Sequence, residues 1–508
     1  MNRHMTQQRQ VLFLALGLVL FLVIAFLPEP PPLFVGTETV LLTANGKLCL
    51  GLLVLAIFYW ITEALPFHVT ALAVMLVMPL LGITDGIQVV SNGAVREISG
   101  LAQGYREIVR ISFGNDLILF FVGVFLLSGA FTFTPLGTRM TLRMLQILGV
   151  STRRVILGFL VMGSLLSMWI SDVGVAAILL PIGVGILKKA GCTPLKSNFG
   201  RALMIASCWG PIFGGIATPA GCGPNPVAIN LMRTLGGMKI TFLDWMIIGV
   251  PASLILIPFG WMVLLMLFPL EIKTLKLSRT DIQNQLKDLG PLSLQEIGTL
   301  VVFAVVISLW VFNPIIAQIT HNRIDLPISF VSILGGILLF LPPFRVLDQE
   351  KAAKAISWDS IILIMASLGL GMMTYYTGAA RWIAVALLGG IHSFSPIVLI
   401  LTVVLVVIFM KLFLASNTVT GIIIIPILIS LAMSFNIHPW ILVAPAAFTS
   451  SLGIILITQT PTNIIPYTSG YFTLGDFAKA GIIMSIIMTF LIAAVIATIG
   501  PLSGIYPY

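Results

Sequence analysis

Two short polar steps stand inside apolar runs that leave no room for a loop. Ser416-Asn417-Thr418 lies between the runs 397–413 and 419–431, and Ser171-Asp172-Val173 lies between 155–170 and 174–187. Asn417 and Thr418 are neutral donors and acceptors. Side-chain oxygens and unwound carbonyls can also ligate a hard cation. Such residues are tolerated within one long helix. They equally suit the tip of a helical hairpin ending inside a membrane, where the free N–H groups of the outgoing helix attract an anion. A break there must line a cavity or be buried in protein, because unpaired backbone is costly in lipid.

The pattern occurs twice in one order. Pro-Ile follows the Ser by ten residues in both copies, Ser171 to Pro181 and Ser416 to Pro426. Upstream, Asp116 stands 55 residues before Ser171, and Asp359 stands 57 before Ser416. Downstream come Gly221-Cys222-Gly223-Pro224-Asn225 and Gln459-Thr460-Pro461-Thr462-Asn463. Two interrupted apolar segments in corresponding halves point to a midplane binding site in a secondary transporter. An intramembrane enzyme is the alternative class, but no H-E-x-x-H, G-x-S-x-G or G-x-x-x-x-G-K-[ST] occurs, so the chain is read as a non-enzyme. Two closed tips also suit occlusion better than a continuous pore.

The elements that must position these tips are membrane helices. The 508 residues are 58% apolar and 9% charged, with a mean hydropathy of +1.10. This is the polytopic membrane class, all-α, with no separate soluble domain. Cys49, Cys192, Cys208 and Cys222 show no C-x-x-C spacing and no disulfide framework. The net charge of +9 reads as a positive-inside bias rather than a nucleic-acid surface. Residues 11–27 read as a retained first helix, and Pro28-Glu29-Pro30-Pro31-Pro32 as a stiff connector outside.

Eleven spans follow: 11–27, 48–64, 67–81, 116–133, 202–235, 245–268, 297–319, 328–341, 361–376, 440–470 and 482–499. The spans 202–235 and 440–470 are broken, at 218–226 and 459–463. Residues 155–187 and 397–431 form re-entrant hairpins, and 84–115 form an interfacial amphipathic segment. With the N-terminus inside, 18 of the 27 Lys and Arg fall inside, eight outside, and Lys411 within the second hairpin. Lys411 has a snorkelling reading. The C-terminus is then outside, the hairpins enter from opposite faces, and 1–269 and 295–508 form an inverted-topology repeat joined by a charged linker, 270–294.

The duplicated tips, the Pro-Ile pairs and the Pro/Asn breaks resemble the divalent anion:sodium symporter family, which includes di- and tricarboxylate and sulfate carriers. The resemblance spans essentially the whole chain. It implies a homodimer in the cell membrane (the inner membrane in a bacterium), each protomer having a scaffold and a transport domain that moves like an elevator. It implies sodium as the coupling ion and a small anion as substrate. A first cation site maps to Ser167, Ser171, Asp172 and Gly221, and a second to Leu412, Ala415, Asn417 and Gln459. Substrate contacts map to Asp172, Val173, Cys222, Asn417, Thr418 and Pro461.

Three departures stand out: Ser-Asp-Val at the first tip, Cys222-Gly223 where Ser or Thr then Pro is usual, and Leu412 where a hydroxyl is expected. Leu412 favours the alternative function, a sodium-independent or proton-linked anion exchanger. Asp172 raises an electrostatic question. A carboxylate about 4 Å from a substrate carboxylate is repelled by roughly 4 kcal/mol at an effective dielectric of 20. Asp172 is therefore expected to act as a cation ligand. The alternatives are a protonated carboxyl, a partner for an amino or apolar substrate end, or a plain helix cap.

Overall fold

The computed structural model describes residues 7–505, apart from 36–37, 92–93, 150, 276–278 and 392–393. Met1–Thr6, including Arg3, and Lys276 of the linker lie outside the described residues. Among the described residues the chain is predominantly helical, with two short antiparallel ribbons, Leu33–Val35 with Glu38–Val40 and Gln88–Ser91 with Ala94–Glu97.

Helices dominate because a helix satisfies its own backbone in lipid. Three long ones start with the same device, a capping box of Thr241 with Asp244, Ser293 with Glu296, and Thr473 with Asp476. Among the described residues, seven helices are long and apolar enough to cross a membrane: Gln7–Phe26, Ala44–Thr62, Phe242–Leu267, Leu294–Ile319, Trp358–Tyr376, Asn417–Ser434 and Leu474–Leu502. Six of these fall on spans expected above. The seventh, Asn417–Ser434, is the outgoing arm of the second hairpin, and 83% of its apolar window is buried against 11% for Gln7–Phe26. It is therefore sheathed in protein rather than lipid.

The remaining expected spans are short or interrupted. Phe67–Leu80 has 14 residues and Ile328–Leu338 has 11. Leu117–Thr132 meets the next helix at a bend of 60°. Residues 202–235 fold as Asn198–Gly215 and Pro224–Thr234, and residues 440–470 as Pro439–Ser451 and Pro461–Tyr467. The second break opens at Leu452, earlier than the apolar run to Ile457 suggests. The expected amphipathic segment is helical only over Leu101–Ile111. Gly82, Gly86 and Gly100 hold positive φ before it, and Gly100 N–H donates to Asp85 Oδ1 at 2.9 Å.

The hairpins lie side by side with the broken helices. Thr152–Ser167 packs along Asn198–Gly215 at backbone distance: a Cβ on Gly214 would lie 2.1 Å from Ser164 O. Around them, Leu117–Thr132 packs on Ile328–Leu338, and Phe67–Leu80 on Trp358–Tyr376. The linker is clamped as well. Arg139 Nε donates to Glu296 Oε1 at 2.7 Å, and its Nη1 to Gly290 O at 2.9 Å. The Glu296 side chain is only 1% exposed. Arg139→Ala strands that carboxylate, so unfolding should become easier by about 3–5 kcal/mol. Thermal unfolding of the detergent-purified protein checks this, and an unchanged midpoint contradicts it.

Candidate functional site

Four helices start at one place. Asp172–Lys189, Pro224–Thr234, Asn417–Ser434 and Pro461–Tyr467 all begin beside a cleft of about 690 Å³. Its lining includes all six residues expected to touch substrate: Asp172, Val173, Cys222, Asn417, Thr418 and Pro461. Ser171, Gly221 and Ala415 line it too, whereas Ser167 and Gln459 sit behind its wall. Pro66, His68 and the exposed Asp359 also line it.

Local sequence explains each start. Pro224 and Pro461 stand at the first helical positions, where a missing N–H costs nothing. Ser416 caps its helix by accepting from Val419 N–H at 3.4 Å. Asp172, the first residue of its helix, accepts from Val173 N–H at 2.9 Å through Oδ1, and Ser171 at the N-cap position makes no side-chain cap bond. Asp172 lines the same cleft as Asn417, the residue that Lys411 bonds.

The tips are crossed. Asn417 of the second tip has Nδ2 3.5 Å from Cys222 Sγ and 3.3 Å from Ser451 O. Thr418 presses on Gly223, where a Cβ would lie 2.2 Å from Thr418 Oγ1. The helix that starts at Asp172 packs on Pro461–Tyr467 of the second broken helix. Each outgoing arm thus packs on the short helix of the other half.

Two asparagines absorb the breaks. Asn225 Nδ2 donates to Gly215 O at 2.8 Å and Thr218 O at 2.7 Å. Asn463 Nδ2 donates to Gly453 O at 2.7 Å and Leu456 O at 3.2 Å. The acceptors lie ten and seven residues back in both cases. Ser451 Oγ donates to Asn225 Oδ1 at 3.1 Å, joining the two breaks. The Pro/Asn motifs marked these asparagines as break residues but left them out of the expected site. The repeated Gly-to-Asn spacing was the available signal. Thr462 and Ser451 carried none.

The first expected cation site is an oxygen cluster. Ser167 Oγ is buried and has no hydrogen-bond partner among the described residues. A Cβ on Gly221 would lie 2.5 Å from Gly215 O and 2.6 Å from Ser167 O, so oxygens crowd this glycine. An orphaned hydroxyl and spare carbonyl lone pairs fit a hard cation.

The second expected site differs. Gln459 Oε1 already accepts from Ile455 N–H at 2.9 Å and Leu456 N–H at 3.0 Å, and its Nε2 donates to Lys411 O at 2.9 Å. Asn417 Oδ1 accepts from the Lys411 ammonium. Lys411 is 2% exposed and does not snorkel. Leu412, expected here, is 38% exposed and turned away.

A second cleft of about 350 Å³ lies at the far end of Pro224–Thr234. There Arg233 Nη2 donates to Asp116 Oδ1 at 2.6 Å, and Ser329 Oγ to Asp116 Oδ2 at 3.0 Å. The bond from the neighbouring Lys239 ammonium holds the Asp325 carboxyl below the usual carboxylate range.

Broken helices around one cleft, within a set of apolar spans, are the architecture of a multi-pass membrane protein. A family model described as the sodium:sulfate symporter transmembrane region matches residues 8–505. The chain belongs to that family, as its paired tips indicated. It is 29% identical over 507 residues to a protein of Staphylococcus saprophyticus named sodium-dependent dicarboxylate transporter SdcS, covering 97% of this chain and 92% of that one. The protein of the same name from Staphylococcus aureus strain USA300 is 28% identical over 508 residues, with the same coverage. Two solved structures share the fold. The YdaH transporter of Alcanivorax borkumensis superposes with a TM-score of 0.55 at 13% identity, covering 85% of this chain and 97% of that one. MtrF of Neisseria gonorrhoeae, described with a class of antimetabolite efflux pumps, gives 0.53 at 14% identity, covering 84% and 93%.

Asn225→Ala and Asn463→Ala each leave two carbonyls without their donor, both in a buried break. Each should lower stability by about 1–3 kcal/mol per buried acceptor. Thermal unfolding of the two variants reads this, and two unshifted midpoints contradict the clamp.

Proposed function

We propose that this protein is a secondary transporter carrying a small anion, dicarboxylate-like or sulfate, together with sodium. One observation carries the reading. Four helix starts from both halves converge on one cleft, next to an oxygen cluster at Ser167 and Gly221. Helix N-termini favour an anion through their N–H groups and dipole. The Thr418 hydroxyl and the start of its helix offer donors at one side of the cleft, and the first turn after Asp172 offers donors at the other. Ser167, Gly215 and Gly221 would hold sodium, whose charge offsets that of the anion. The names of the staphylococcal relatives agree with this substrate class.

The proposed topology has eleven membrane passes, two re-entrant hairpins, the N-terminus inside and the C-terminus outside. Hairpins and broken helices form the transport domain, which moves like an elevator against the scaffold in a homodimer. The cleft shares its lining with Pro66, His68 and Asp359, which the charge count places inside, so this is an inward-open arrangement. Arg233 bonded to Asp116 latches the broken helix to the scaffold at the other end. One observation favours a second reading, a sodium-independent or proton-linked exchanger: the Lys411 ammonium already stands where a cation was expected. Uptake into proteoliposomes driven by a sodium gradient separates the two, because an exchanger requires anion inside and no gradient.

Thr418→Val keeps the volume and removes the hydroxyl. Uptake of radiolabelled succinate should fall at least tenfold, or about 1.4 kcal/mol. Activity within about twofold of the parent, roughly 0.4 kcal/mol, refutes the assignment. The topology has its own check in Cys192, which is partly exposed. An impermeant thiol reagent should modify it in inside-out vesicles and spare it in right-side-out ones. The reverse result overturns the orientation.

A further inference from the structure

The second cation position does not fit a free ion, because the protein has placed a cation of its own there. Lys411 ends the helix Pro396–Lys411, one turn before the tip, and turns inward. Its ammonium donates to Asn417 Oδ1, the oxygen a coupling ion would use. Room for it comes from Gly453: a Cβ there would lie 3.1 Å from Nζ and 3.3 Å from Cε. The carbonyl of Lys411 is pinned by Gln459 Nε2, so the residue is fixed at both ends. A buried charge is expensive unless compensated. Asp172, which lines the same cleft as Asn417, supplies an opposite charge at the first tip, where the family pattern has Asn.

We propose that the Lys411 ammonium, balanced by Asp172, is a tethered replacement for the second coupling cation. The protein then moves its anion with one sodium-binding position, the cluster at Ser167 and Gly221. This rests on the sodium-coupled reading above. It also deepens it, since a fixed ammonium beside Asn417 and Thr418 attracts one anionic group of the substrate whether or not sodium is bound.

The test is a sodium titration at constant ionic strength, with choline as the replacement ion and succinate as the probe. It follows both the unfolding midpoint of the detergent-purified protein and uptake into proteoliposomes. A ligand binding only the folded state raises the midpoint by mass action. The parent protein should respond hyperbolically, with a Hill coefficient of about 1, since that coefficient is bounded by the number of sites. Lys411→Thr frees Asn417 Oδ1 and leaves Asp172 uncompensated. At low sodium its uptake should fall at least tenfold. High sodium should restore it along a steeper curve, with a coefficient approaching about 2. A parent coefficient near 2 (roughly two interacting sites) overturns the proposal alone. The parent titration decides this even if the variant fails to fold. The absence of any sodium response in midpoint or uptake overturns the symport reading, and the proposal with it.

Discussion

Within a bilayer each carbonyl released by a broken helix needs a donor, and that requirement governs this fold. Asn225 and Asn463 meet it. Each side-chain amide closes two carbonyls of the gap it follows, at matching offsets in the two halves. With those carbonyls capped, the chain can stop one helix and start another in the middle of the protein. The helix starts created this way form the walls of the cleft. Without the asparagine clamps neither break could be dry, and the tips would have nothing to dock on.

The docking is reciprocal. The second tip rests on the first break through Asn417, Cys222, Thr418 and Gly223, and the helix leaving the first tip packs on Pro461–Tyr467. Ser451 ties the arrangement together by bonding both Asn225 and Asn417. An anion held in this cleft would touch groups from both halves at once. That is an economical way to let binding report on the whole moving unit. The same geometry makes charge local. One carboxylate, Asp172, starts the helix at the first tip and one ammonium, Lys411, bonds the second tip, while Arg233 and Asp116 form their pair at the far end of the broken helix.

Much of this was legible in the residues. Polar steps inside apolar runs, repeated with the same Ser-to-Pro spacing, located both tips, and the family resemblance supplied the residues that line the cleft. The first break was equally plain, because Pro219, Pro224 and Pro226 cannot sit in a continuous helix. The second was placed too late. Ile454-Ile455-Leu456-Ile457 is as apolar as any span, and only the Asn463 amide, acting from beyond the gap, reveals that these residues are unwound. Lys411 was left open between a snorkelling and a buried side chain for a related reason. Hydropathy does not say whether a residue on a half-buried helix faces lipid or protein, and a one-residue turn separates Lys411 from the exposed Leu412. The ribbon at 88–97 was hidden by charges that suit an amphipathic helix, while the glycines with positive φ decided otherwise.

The central claim is that one cleft, bounded by the two tips and the two breaks, holds the anion beside a cation at Ser167 and Gly221. A cryo-electron microscopy map of the protein with sodium and succinate tests it most directly. Density for the anion should lie between Thr418 and the start of the helix at Asp172, with a separate peak among Ser167, Gly215 and Gly221. Anion density in the other cleft, beside Asp116, Arg233 and Asp325, would contradict the account.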